Sequence, residues 1–117
     1  VTAMATATHA IAPALLPVRA RFMELMLPRI IEFERLRCRV NAGQEAPLAL
    51  EAIGALAHKI SGVADTFGMS RIGNLSAQGD RRIAAGRAAR EPLASVWDST
   101  EPALEALLDA MEAQLDD

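Results

Sequence analysis

Leu50, Ile53, Ala57, Ile60, Ala64 and Phe67 follow one another at alternating steps of three and four. Only an α-helix places residues so spaced on one face, because a strand repeats every two. The spacing predicts a helix over 48–67 with one apolar side that other elements must cover. Composition says what those elements are. Half of the 117 residues are apolar, yet only 3% are aromatic, with three Phe, one Trp and no Tyr. Alanine and leucine favour helix, whereas a sheet would want β-branched and aromatic residues. A chain of this length is one domain, large enough for a single core.

The rest of the chain repeats the helical signal. Phe22, Met26, Ile30, Phe33 and Val40, with Leu25 and Leu36 beside them, mark a first helix. Pro17 suits its first turn. Pro28 should delete the hydrogen bond to the Glu24 carbonyl, which predicts a kinked or two-part N-terminal helix. Asn41-Ala42-Gly43 ends it, because Asn and Gly accept left-handed geometry. Gly68 stops or bends the chain after the second helix. A third helix is expected over 70–85, with Ile72, Leu75, Gln78 or Gly79, and Ile83 inward. Pro92 opens a short helix holding Leu93, Val96 and Trp97. Ser99 or Thr100 is the expected N-cap of a last helix with Pro102 in its first turn and Leu104, Leu108, Met111 and Leu115 inward. Met23, Met26 and Met69 read as core fillers. Four main helices joined by short loops point to an all-α, antiparallel four-helix bundle. Residues 13–117 are assigned to this domain. Residues 1–12, small and polar at the start, are expected to form a flexible segment.

One histidine stands out. Position 58 lies about 100° round the helix from Ala57, on the shoulder of the buried stripe rather than in it. Its helical neighbours are Gly54, Ala55, Ser61, Gly62 and Asp65, and none of them can bury an imidazole. A glycine in a helix interior costs about 1 kcal/mol relative to alanine. Two of them, one turn either side of one histidine, suggest that something must approach the ring closely. Imidazole changes charge between about pH 5 and 8, so a neutral, nucleophilic ring is available near neutrality.

The run from His58 through Ile60, Gly62, Phe67 and Gly68 resembles the active-site helix of histidine-containing phosphotransfer (HPt) domains, and with its flanking helices the resemblance covers roughly residues 17–115. It implies that His58 accepts a phosphoryl group from, or returns it to, the aspartate of a response-regulator receiver domain. The implied partner is that receiver domain, or a hybrid sensor kinase. The family places a ring-orienting Gln or Glu on the next helix about twenty-two residues on, and the matching position is Asp80. Ser61 and Lys59 are candidate phosphoryl contacts, and Gly54, Gly62 and Gly68 give access and geometry. The chain departs from the pattern at Ser61, where the family often has Lys, and at Val63, where Ser is common. Ser61 keeps a second reading open, a helical adaptor that binds receiver domains without accepting phosphate. A third is a plain helical domain of a larger sensor enzyme.

Other chemistries find little support. No Gly-rich phosphate loop followed by Lys and Ser or Thr is present, so the chain is read as a relay and not an autokinase. Magnesium would belong to the partner, and no cofactor of its own is expected. A net charge of −3 gives no basic footprint for nucleic acid. His9 and His58 lack a Glu-x-x-His companion, so no metal site is expected. One cysteine, Cys38, excludes an internal disulfide and reads as a small helical residue, although Arg37 and Arg39 flank it. No apolar run reaches membrane-spanning length, and no charged leader precedes one. A cytoplasmic monomer is the expectation.

Overall fold

The computed structural model describes residues 11–116, so the first ten residues, including His9 and most of the expected flexible segment, lie outside the described residues. Among the described residues the chain is all-helical: four helices, the first of them bent. A 3₁₀ turn (Pro13–Leu15) leads into α1 (Leu16–Glu24) and α2 (Met26–Ala42), the two arms of the bent helix. Then come α3 (Ala46–Ala64), a 3₁₀ turn (Asp65–Phe67), α4 (Ser70–Ala88) and α5 (Leu93–Leu115). No helix among the described residues is long and apolar enough to cross a membrane.

The bend falls at Leu25, where Pro28 has no N–H to give the Glu24 carbonyl. The ladder resumes beyond it, with the Arg29 amide donating to the Leu25 carbonyl at 3.0 Å. Gly43 and Gly68 end α2 and the α3 turn in left-handed geometry, at φ 70° and 76°. Behind them the Gln44 and Met69 amides reach back to the carbonyls of Arg39 (2.9 Å) and Ala64 (3.0 Å).

The stripe that opened the sequence reading is the heart of the core. Leu50, Ile53, Ala57, Ile60, Ala64 and Phe67 are all buried. Each large member contributes about 1.5–3 kcal/mol by leaving water. Phe22, Met26, Ile30, Phe33, Leu36 and Val40 meet them from the bent helix, and the Phe22 and Phe67 rings lie 5.6 Å apart, tilted. Met26 and Met69 are core residues and Met23 packs at the margin.

The C-terminal third departs from expectation. Ser99 and Thr100 do not cap a separate helix, because α5 runs unbroken from Leu93 with Pro102 inside it. An interior proline costs about 3 kcal/mol. Against that, Val96, Trp97, Thr100, Leu104, Leu107, Leu108 and Met111 form one continuous buried stripe across it. The Ser99 hydroxyl bonds back to the Ser95 and Val96 carbonyls instead of capping. Leu107 takes an inner place not foreseen, and Leu115 is exposed. The Trp97 indole donates to Asn41 Oδ1 at 2.8 Å, tying α5 to the end of α2.

Candidate functional site: a histidine–aspartate pair on an open helical face

α3 and α4 run in opposite directions, and their contacts fix which side chains meet. Arg87 pairs with Glu51 at 3.5 Å. Ile83 fills the space left by Gly54, where an added Cβ would sit 3.4 Å from its Cγ2. One turn on, His58 meets Asp80. Further along, Gly73 sits so close to Asp65 that an added Cβ would lie 2.6 Å from Oδ1.

The His58–Asp80 pair is the only contact of this series that leaves a reactive group free. His58 Nδ1 lies 2.8 Å from Asp80 Oδ2. The His58 side chain is 78% exposed and that of Asp80 only 27%. The aspartate is therefore a half-buried anchor and the imidazole a projecting arm. An ionised carboxylate only accepts, so Nδ1 carries the hydrogen and donates it. In a neutral ring Nε2 then holds the lone pair, and it has no hydrogen-bond partner among the described residues. As the ring becomes positively charged during any reaction at Nε2, the Asp80 carboxylate offsets that charge.

The surroundings of the ring are bare. Gly62, one turn on, has no atom within 4 Å of where a Cβ would be. Ala55 lies one turn before His58, and Ala77 and Ala84 lie one turn either side of Asp80. The pair thus stands on a floor of small residues contributed by both helices. Ala77 and Ala84 were not singled out from the sequence; their signal was their spacing from Asp80, readable only once the α3–α4 register is known.

The remaining candidates divide. The Ser61 hydroxyl donates to the His58 carbonyl at 2.9 Å, so its hydrogen serves the main chain and not a ligand at Nε2. Lys59 is exposed and makes no ion pair among the described residues. Gly54 is buried against Ile83 and serves helix contact more than access to the ring. Gly68 sets the turn. Two glycines of α4 differ in what they allow: Gly73 lets the Asp65 side chain come close, whereas a Cβ added at Gly79 would meet nothing within 4 Å.

No three His, Cys, Asp or Glu side chains gather to hold a metal among the described residues. Cys38 is exposed, and both flanking arginines engage elsewhere, Arg37 with Glu101 and Arg39 with Glu45. A cavity of about 490 Å³ lies between the start of α4 and the end of α5 and includes Met69 and Ala110 but not His58. The His58 side chain is 78% exposed, a placement that suits a macromolecular surface better than an enclosed small molecule.

Compared with known proteins, the chain matches no family model, no curated protein and no solved structure.

Proposed function

We propose that this chain is a histidine phosphotransfer protein, an antiparallel four-helix bundle of the HPt kind whose His58 carries a phosphoryl group to and from the aspartate of a receiver domain. The observation that carries this reading is the exposed imidazole held through Nδ1 by Asp80. Nε2 attacks the phosphorus of the partner's aspartyl phosphate in line. The N–P bond forms as the P–O bond breaks, and the partner's carboxylate leaves with the electron pair. The ring gains positive charge in that step, and Asp80 stabilises it across a hydrogen bond already in place. Phosphoryl transfer asks mainly for positioning and charge stabilisation, so an anchored ring on a bare face is most of what the carrier must supply.

A second reading, a receiver-binding adaptor that takes no phosphate, draws support from Ser61. Its hydroxyl hydrogen is committed to the His58 carbonyl, and no donor of this chain stands beside Nε2 among the described residues.

Transfer from a panel of radiolabelled phospho-receivers, with His58→Gln as control, separates the two. Label that appears on the chain, survives alkali, is lost in acid and is absent in the variant is the expected result. Binding without label would favour the adaptor. Label that persists in His58→Gln would overturn the choice of residue.

A further inference from the structure

A second feature of the surface lies where α1 and α2 cross the end of α3, and it does not depend on His58. Val18, Phe22, Leu25, Val63 and Phe67 wall a small open cavity of about 150 Å³, with Arg21 and Arg29 beside them. An apolar space of that size takes a benzene-sized group. The Arg29 guanidinium lies 5.5 Å from the centre of the Phe22 ring. Arg29 is half-buried, and no carboxylate pairs with it among the described residues. Arg21, Arg35, Arg37, Arg39, Arg82 and Arg87 each have an acidic partner; Arg19, Arg71, Arg81 and Arg90 pair with none among the described residues either, but they do not line this cavity. Burial, and then the like charge of Arg21, lower the pKa of Arg29 below the ordinary arginine value. A partly buried guanidinium left without a carboxylate of its own is poised to receive one.

Among the described residues the apolar walls lack a cover as well. Within α1 only Phe22 is buried, while Leu16 and Val18 are 52% and 49% exposed. A helix of nine residues is too short to persist on its own propensity, so α1 stands ready to gain contacts from outside. Arginine and phenylalanine are among the residues enriched at protein interfaces, and Arg29, Phe22 and Phe67 all line this cavity.

We propose that this cavity is a docking socket for a partner-protein segment in which an apolar side chain stands next to an Asp or Glu. The apolar group fills the space under Phe22 and Val63, and the carboxylate pairs with Arg29. The planar guanidinium fork suits a carboxylate held in one plane. Charge complementarity selects the occupant: a neutral apolar segment would bury Arg29 further without a partner, and a basic one would set a second cation beside it.

The test is to pan a random peptide library, displayed on phage, against the protein. Enriched peptides are expected to share an apolar residue with Asp or Glu within two positions of it. Synthesised and measured by fluorescence anisotropy, they should bind at least tenfold more weakly to Arg29→Met, which keeps the aliphatic stem. Their Asn or Gln counterparts should lose as much on the wild-type protein. Val18→Asp changes a half-exposed position without touching the core, and its carboxylate at the cavity should abolish binding even if Arg29→Met unfolds. Arg35→Met, which removes an exposed arginine paired with Glu32, should leave binding unchanged. Enrichment of peptides without acids, no enrichment at all, or binding indifferent to Arg29→Met and Val18→Asp would overturn the proposal.

Discussion

Gly62→Ala separates what the fold needs from what a partner needs. Gly62 lies in α3 two residues before its last residue, Ala64. Its φ is not among the positive values, and a Cβ there would meet no atom within 4 Å. The folded chain therefore has no steric reason for a glycine. Alanine should gain helix propensity and narrow the unfolded ensemble, together about 0.5–1 kcal/mol so near a helix end. For a domain of this size that raises the melting temperature by about 2–6 °C, readable by far-UV circular dichroism. The added methyl lies one turn from His58 on the same open face, so phosphoryl transfer should slow while stability rises. A fall in melting temperature would refute the reasoning, because Gly62 would then be required by the folded chain itself. A rise with unchanged transfer would show that clearance at 62 is not used by any partner.

Gly86→Ala should act in the opposite sense: a Cβ would collide with Val96 Cγ2 and lie 3.3 Å from its Cβ. Overpacking of about 1–3 kcal/mol against the stiff valine outweighs the helix gain, whereas Gly73→Ala, opposed by the movable carboxylate of exposed Asp65, should stay within about 0.5 kcal/mol of wild type; urea unfolding of both variants checks the contrast. Thr100 is 1% exposed and its hydroxyl has no partner among the described residues, so Thr100→Val should stabilise by about 1 kcal/mol and raise the urea midpoint at unchanged m-value. For Asp80→Ala, a pair this exposed is worth about 0.5–1.5 kcal/mol, which predicts transfer about two- to tenfold slower, measured in the same phospho-receiver assay, with Asp80→Glu recovering part of the rate.

The bent first helix and the buried stripe of α3 were legible because each rests on a local signal. A proline inside a 3.6-residue pattern has one consequence for the ladder, and it appears at Leu25. Six inward positions in phase leave no other face to bury. The C-terminal third misled for the converse reason. Pro92, Ser99, Thr100 and Pro102 are start signals, and local chemistry favours a break there. Whether a proline breaks a helix or is tolerated within it depends on what its neighbours bury. Trp97 on Asn41 and Leu107 in the core are long-range facts. The socket around Arg29 was hidden in the same way: Phe22 and Arg29 are seven apart and can be read as neighbours on one face, but Val63 and Phe67 join them only through the fold.

The candidate site stands between these cases. His58 could be picked out from its own neighbours, because a helix fixes them. Asp80 could be matched to it only through the resemblance to HPt domains, and separation along the chain alone does not bring two side chains within 2.8 Å. Register does. From Glu51 to Gly54, His58 and Asp65 the steps are three, four and seven; from Arg87 to Ile83, Asp80 and Gly73 they are four, three and seven. The two helices keep step over the whole contact, anchored at one end by the ion pair and at the other by the close approach at Gly73. The left-handed turn at Gly68 sets the phase at which α4 returns. One residue inserted in α4 between Gly73 and Asp80 would rotate Asp80 and Ile83 by about 100° and shift them by about 1.5 Å relative to Gly73. That would carry Asp80 off the ring and bring Ile83 out of the space beside Gly54. The same register that packs isoleucine against glycine therefore aims the carboxylate at Nδ1, and a chain that holds this core holds the histidine in one orientation.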